Sequence, residues 1–351
     1  MKNHLFSHDA PGLNFVAIGG GNGLATLLSG LKSFVTAEKS ENAWIKNLSG
    51  IVAVSDDGGS SGRLRDELQM PPPGDIRNCM VALSEDSHLL SKLFQYRFRG
   101  SGELGGHSFG NLFLAALSEI TGDFAEAVKL SSEILASKGH IFPATVADVR
   151  LAAELTDGSI ARGETTISKV GTSIKRLRLE PENCQPLPEA LAAIYGADII
   201  TIGPGSLFTS LLPPILVEGV SEAIAESPAV KIFICNLMTQ PGETDGFSAR
   251  KHLELIWEYA PDINFDYVIV NNFPVTKQQM ALYTSEGARQ IGVSDSISPQ
   301  TIENTQIVYG NLLDMGEKVR HSPEKLAQAV LQCALKPEKS VAATVESVWN
   351  K

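Results

Sequence analysis

The sequence predicts an α/β protein: a doubly wound, Rossmann-like, mostly parallel sheet with helices on both faces and a small antiparallel β excursion. Three observations carry that expectation. Short apolar runs at residues 14–18, 51–54, 198–202, 230–235 and 267–270 are of the kind a strand buried on both faces requires. Each run ends in glycine or short polar residues. Apolar residues at helical spacing follow several of those ends, as Leu24, Leu27, Leu28 and Leu31 do after the first. Strand, polar loop, helix is the repeating unit of a parallel sheet, and ligands of such sheets bind at the carboxyl ends of the strands.

The first unit runs from Asn14-Phe15-Val16-Ala17-Ile18 into Gly19-Gly20-Gly21-Asn22-Gly23. Four glycines in five positions exceed what a tight turn requires, and the helix N-terminus behind them is suited to an anion. Two common fingerprints fail. G-x-G-x-x-G is broken by Leu24 in one frame and Thr26 in the other, and no Gly-Lys-Ser/Thr follows. A standard dinucleotide dehydrogenase and a P-loop NTPase therefore lose ground.

The second strand, Ile51–Val54, opens the most informative stretch. Ser55-Asp56-Asp57-Gly58-Gly59-Ser60-Ser61-Gly62 places two carboxylates, three glycines and three hydroxyls at a strand end. Arg63, Arg65, Pro71-Pro72-Pro73-Gly74 and Asp75-Ile76-Arg77-Asn78 follow. A solvated turn requires neither paired arginines nor a proline brace. The mix suits a phosphate or a hydroxyl-rich ligand: backbone N–H groups approach closely, arginines pair phosphate oxygens, and carboxylates take hydroxyls or a metal. At the end of strand two, Asp56 and Asp57 stand where ribose hydroxyls or a metal ion would be bound.

Residues 75–139 read as helical, with Asp75 as a cap for Ile76–Leu83 and a second helix near Ser87–Tyr96. After a glycine-rich loop, His107-Ser108-Phe109-Gly110-Asn111 opens an apolar helix, with Ser108 at the N-cap and His107 and Asn111 on one face. Residues 141–179 read as the antiparallel excursion. Val149, Leu151, Ala153 and Leu155 alternate, Asp157-Gly158 marks a hairpin, Ser159–Ile167 continues as strand, and Ile174–Leu179 forms another. No motif inside it carries chemistry, and its use is structural or oligomeric.

The α/β pattern resumes at Leu187. Strand 198–202 ends at Gly203-Pro204-Gly205-Ser206 and continues to Ser210, a second glycine loop able to face a phosphate. Strand 230–235 ends at Asn236, with Thr239 close to the sheet and Glu243 and Thr244 read as caps of the helix 247–259. Ser322-Pro323-Glu324 starts a last amphipathic helix.

A chain of 351 residues with 43% apolar content fits one large α/β domain spanning 1–351, with frayed first residues and a peripheral tail at 337–351. The formal charge of −11 argues against nucleic acid as a partner, so any anion site must be a local basic pocket. Cys79, Cys184, Cys235 and Cys333 are far apart and read as reduced thiols rather than a disulfide frame or zinc site. No signal-peptide core or transmembrane stretch is present, so a cytoplasmic protein without membrane insertion is expected.

Six motifs occur in order: GGGNGL, VSDDGGSSGRLR, PPPGDIRN, HSFGN, GPGSLFTSLLP and CNLMTQPGETDGF. Together they closely resemble the YvcK/CofD-like family of bacterial gluconeogenesis factors and 2-phospho-L-lactate transferases, over about residues 14–335. The resemblance implies one doubly wound core with a nucleotide-containing ligand at the strand ends, and the intact spacing is more similar to the bacterial YvcK branch. That branch implies a UDP-N-acetylglucosamine-like ligand and a regulatory factor for gluconeogenic growth and cell shape, without catalysis or a required cofactor. The alternative is a Mg²⁺-dependent transferase of a substituted phosphate group, in which Asp56 or Asp57 holds the metal. A homo-oligomer is expected. Of the two aspartates, one should face the ligand and one should brace the loop, with Asp57 taken as the ligand-facing one.

Overall fold

The computed structural model describes residues 12–35, 44–85, 88–170, 174–292 and 300–334. Strand β1 (Leu13–Gly19) leads through helix α1 (Gly21–Leu31) to β2 (Ile45–Val52). Five helices follow: α2 (Gly59–Leu68), α3 (Gly74–Leu83), α4 (His88–Gln95), α5 (Phe109–Thr121) and α6 (Phe124–Ile134), before β3 (His140–Pro143). The excursion holds β4 (Arg150–Leu155), β5 (Ile160–Arg162), the short α7 (Glu164–Ile167) and β6 (Ile174–Glu180). The chain then passes through α8 (Pro188–Tyr195), β7 (Ile199–Ile202), a π-helical turn (Leu207–Leu211), α9 (Leu212–Ile215), α10 (Val220–Glu226), β8 (Val230–Ile234), α11 (Ala249–Tyr259) and β9 (Tyr267–Asn271). It closes with α12 (Lys277–Thr284), β10 (Thr301–Ile302), β11 (Thr305–Gly310) and α13 (Pro323–Ala334).

The main sheet has eight strands in the order β10-β11-β9-β8-β7-β1-β2-β3. All neighbours are parallel except β10 and β11. From β1 the chain moves outward through β2 and β3; from β7 it moves the other way, through β8 and β9. The order reverses between β1 and β7, so the carboxyl ends of those two strands frame a crevice.

Burial follows from this layering. Phe15, Val16, Ala17 and Ile18 are all inaccessible because helices cover both faces of β1. Leu24, Leu27, Leu28 and Leu31 are fully buried on one stripe of α1, each contributing roughly 1.5–3 kcal/mol. Gly50 in β2 makes room for them, since a Cβ there would lie 3.0 Å from Ile141 Cδ1 and 3.1 Å from Leu28 Cδ1. On its other side α1 is crossed by α13 at Gly30.

Several boundaries differ from the sequence expectation. Strand β2 begins at Ile45 and ends at Val52, so Val54 already lies beyond its end. Strand β3 pairs in parallel with β2, and the antiparallel sheet is confined to β5-β4-β6. Residues Glu164–Ile167 are helical, because Gly163 turns the chain at φ +84° directly after β5. The frayed first ten residues and the tail at 337–351 lie outside the described residues. Among the described residues no single helix is long and apolar enough to cross a membrane.

Gly30 supplies a test of the α1–α13 contact. Glycine to alanine in a helix interior normally stabilises by about 1 kcal/mol. Here the new Cβ would lie 2.0 Å from Pro323 O, a backbone atom that cannot swing away. Gly30→Ala is expected to destabilise instead, by about 1–3 kcal/mol in urea unfolding.

Candidate functional site

Two glycine loops meet where the strand order reverses. Gly19 closes β1, and Gly20 and Gly21 lead into α1, where Asn22 and Gly23 occupy the first turn. Gly203, Pro204, Gly205 and Ser206 follow β7. The loops touch: a Cβ on Gly23 would lie 2.2 Å from Pro204 O, and one on Gly205 3.6 Å from Gly20 O. Asn236, after β8, accepts from Gly205 N–H through Oδ1 at 3.2 Å and so fixes the second loop. Ser206 Oγ donates to Glu243 Oε2 at 2.7 Å and accepts from Thr209 N–H at 3.4 Å.

These residues line a cavity of 610 Å³, a size suited to a substantial small-molecule ligand. Asn22, Gly23, Pro204, Gly205, Ser206, Ser210, Asn236 and Thr239 all reach it, whereas the predicted Gly19, Gly20, Gly21 and Gly203 do not line it. Glu243 does not cap α11, because Ser248 does, accepting from Lys251 N–H. Glu243 faces the cavity, and burial raises its pKa while its bonds to Ser206 and Ser168 oppose the shift.

An acidic cluster stands behind this cavity: Glu164 lines it, whereas Asp56, Asp57 and Asp75 do not. Asp75 does not cap its own helix; α3 starts at Gly74, one residue earlier. Its carboxylate instead reaches across to α1, where Oδ2 accepts from Gly21 N–H at 2.7 Å. One of the donors that make a helix N-terminus attractive to anions is thus already taken by a side chain. Burial, then the neighbouring Asp56, raises the Asp75 pKa to about 7. Glu164 is raised to about 8 by burial and then by Asp56, Asp75 and Asp57, while Thr209 opposes the shift through a hydrogen bond.

Each aspartate of the pair braces local structure through one carboxylate oxygen. Asp57 Oδ1 accepts from Thr165 N–H at 2.9 Å and from Thr165 Oγ1 at 2.6 Å. It therefore braces the excursion against the strand end. Asp56 Oδ1 accepts from Gly58 N–H at 2.8 Å in a local turn, and its other oxygen packs beside Gly74. Asp57 Oδ2 packs beside Gly163 in the same way, so each aspartate keeps its second oxygen outside these bonds. Gly59 opens α2 at φ +49°, and Ser61 packs against Gly74, where a Cβ would lie 2.3 Å from Ser61 Oγ.

Ser60, His107 and Asn111 form a separate hub between the starts of α2 and α5. Ser60 Oγ accepts from Asn111 Nδ2 at 3.1 Å and from Ser108 N–H at 3.4 Å, and its own proton points to His107 Nδ1 at 3.0 Å. Buried and engaged on every side, Ser60 ties two helices together and has no room to act as a nucleophile. Burial and the Arg63 charge lower the His107 pKa, so the ring is neutral near pH 7. Ser108 stands at the N-cap of α5 but its hydroxyl donates to Phe94 O instead. Arg63, Arg77 and Asn78 lie with this hub and do not line the cavity.

The sequence reading missed Glu164, Ser168, Tyr283, Glu286, Arg320 and His321, which also line the cavity. They come from the excursion, from α12 and the turn after it, and from the segment before α13, none of which carries a glycine-rich loop directly at a strand end. The Ser322-Pro323 cap was a nearby signal, for it fixes the chain direction just after Arg320 and His321. His321 is buried, which lowers its pKa to about 4, and its ring bonds to the Cys235 backbone. Its Nε2 has no protein partner. Among the described residues no three His, Cys, Asp or Glu side chains converge as a metal site.

Fold and crevice define a doubly wound α/β protein with a polar ligand cleft at its topological switch point. Residues 15–313 match the family described as 2-phospho-L-lactate transferase CofD, and the chain belongs to that family. It is 44% identical over 319 residues to a gluconeogenesis factor of Halalkalibacterium halodurans, spanning 91% of this chain and 96% of the relative. It is 42% identical over 317 residues to a gluconeogenesis factor of Bacillus subtilis, spanning 89% and 95%. The crystal structure of a UPF0052-family protein from Bacillus halodurans superposes with a TM-score of 0.83 at 42% identity, over 91% of this chain and 99% of that one.

Two predictions follow from the acidic cluster. A carboxyl whose pKa is higher folded than unfolded binds protons on folding, so its stabilising contribution is full below about pH 4 and is lost as pH rises through the folded value. With Asp75 at about 7 and Glu164 at about 8, the melting temperature of the ligand-free protein should fall between pH 6 and pH 8.5. Glu164→Gln should flatten that fall and melt higher at pH 8.5. Asp57→Ala should cost about 1–2 kcal/mol by releasing Thr165, read as a lower urea midpoint.

Proposed function

We propose that this chain is a nucleotide-sugar-binding regulatory factor, needed for growth on gluconeogenic carbon and for cell shape, whose ligand is of the UDP-N-acetylglucosamine type. The observation that carries this reading is the meeting of two glycine loops at the switch point, around a cavity of 610 Å³. The N–H groups of Asn22 and Gly23, together with the hydroxyls of Thr209 and Ser210, suit a diphosphate. Arg320 is the arginine of the lining and is exposed, so it can meet phosphate charge from the open side. Glu164, Glu243 and Glu286 suit sugar hydroxyls, Tyr283 offers an aromatic face, and His321 Nε2 is a buried acceptor for a ligand N–H or O–H. The names of the Halalkalibacterium and Bacillus relatives support the gluconeogenic role.

The family description favours a second reading, a transferase of a substituted phosphate group with Mg²⁺. In it the metal would be held by Asp56 and the ligand's own phosphates, since magnesium commonly binds through one or two carboxylates plus substrate phosphate. Asp56 would then be the residue whose loss removes turnover while sparing nucleotide affinity.

Calorimetric titration with UDP-N-acetylglucosamine, UDP and GDP separates these readings. The regulator reading expects the UDP-sugar to bind best, with no product formed on incubation. Arg320→Gln should weaken binding about 10- to 100-fold, or roughly 1.5–3 kcal/mol, without lowering the melting temperature. Gly23→Ala should abolish binding by pushing the two loops apart. Failure of all three nucleotides to bind would reject the reading.

A further inference from the structure

Three arginines lie around the hub of Ser60, His107 and Asn111, and none of them forms an ion pair among the described residues. Arg63 donates to the Gly105 carbonyl at 2.8 Å and the Glu103 carbonyl at 3.5 Å. Arg97 donates to the Gly106 carbonyl at 3.0 Å. Arg77 is 6% exposed and packs its Cγ and Cδ against Gly110 in the first turn of α5. Its Nη2 donates to Asn78 Oδ1 at 2.6 Å, whereas Nε and Nη1 are buried without any partner. Asn111, 1% exposed, leaves its Oδ1 unpartnered beside the same helix start.

A buried guanidinium with two unmet donors is costly unless something else meets them. The nearest carboxylates do not. Asp75 gives Oδ2 to Gly21 N–H and Asp56 gives Oδ1 to Gly58 N–H, and neither lies within ion-pair distance of Arg77. They act on Arg77 only through space, and after burial the larger influence on it is the repulsion of Arg97. Two long helices begin at this spot without any side-chain cap on their first N–H groups: α2 behind Gly58 and α5 behind Ser108. His107 meets Ser60 Oγ through Nδ1 at 3.0 Å, and its Nε2 makes no bond among the described residues. The buried unmet groups here are the two Arg77 donors and the Asn111 oxygen, with the second Asp56 oxygen beside Gly74 at the start of α3, in a chain whose net charge is −11.

We propose that the starts of α2, α3 and α5 form a second oxyanion site, centred on Arg77 and flanked by Arg63 and Arg97, that takes a phosphate or carboxylate group. It is separate from the cavity between the glycine loops, and its existence does not depend on what fills that cavity. Arg77 supplies the buried cationic contact through Nε–H or Nη1–H, with a guanidinium that keeps its charge where a buried ammonium would readily lose it. Arg63 and Arg97 pin the 103–106 loop through its carbonyls and bring positive charge to the rim.

Equilibrium dialysis with radiolabelled inorganic phosphate tests this, with and without saturating UDP-N-acetylglucosamine. The wild type should bind phosphate. Arg63→Gln/Arg97→Gln, whose parent side chains are exposed, should melt like the wild type in phosphate-free buffer yet bind phosphate at least tenfold more weakly. Arg77→Gln should lose it further, and Gly23→Ala should retain it. Retention in the presence of the nucleotide sugar identifies a free anion or separate ligand; displacement identifies a group of the nucleotide ligand reaching this site. Unchanged phosphate affinity in the double variant, or loss in Gly23→Ala alone, overturns the proposal. If Arg77→Gln does not fold, a crystal soaked in tungstate decides: density beside Arg77 supports the site, and density only between Gly23 and Ser210 refutes it.

Discussion

Gly23 has room for a hydrogen and nothing larger, because the Pro204 carbonyl occupies the place of a Cβ. That contact joins the loop after β1 to the loop after β7. A parallel sheet whose order reverses leaves the loops on either side of the reversal diverging, and the gap between them is the only place where both can serve one ligand. Here the gap is narrowed until the backbones touch, so the N-terminus of α1 and the π-helical turn after β7 share a wall. The position of Asn236, Glu243 and Ser206 follows from the same contact, since each bond among them runs from the second loop to the β8 end.

Charge is distributed along the crevice in an unusual way. After burial, Asp56 raises the pKa of Asp75, and Asp56, Asp75 and Asp57 raise that of Glu164, while Asp75 occupies the Gly21 donor at the helix end. A phosphate arriving here meets partial positive charge from the helix and negative charge from its resident carboxylate. Under the function proposed above, proton uptake by Asp75 and Glu164 would relieve that conflict, coupling ligand affinity to pH through the same residues.

The excursion is tied into this arrangement. Arg65, fully buried, grips its base through Asp148 at 2.6 Å and the Val149 carbonyl. Asp57 holds Thr165, and Glu164 reaches the cavity beside Thr209. The antiparallel sheet is therefore a strap laid over the strand ends. Its solvent face carries charge pairs, such as Lys175 with Glu154, and Arg176 lies over the Tyr259 ring at 5.5 Å.

Local pattern determined much of this protein. Buried parallel strands announce themselves by continuous apolar residues, and a strand-end loop by glycine, so both glycine loops and the five parallel strands read from sequence were legible in the chain itself. The carboxylates of Asp56 and Asp57 were legible as a pair for the same reason. What each does was not, because a side chain's partner is a fact about distance in space. Thr165 lies 108 residues from Asp57, and Gly21 lies 54 residues before Asp75. The edge strand β10 was invisible because it has two residues, and β11, Thr305–Gly310, because it opens on Thr305-Gln306 and closes on Tyr309-Gly310 around a short apolar run. Glu164, Tyr283 and Arg320 escaped because no periodicity marks a residue that comes from outside the parallel core. Only packing brings the excursion and the chain before α13 to the cavity, and packing is what the tertiary structure decided.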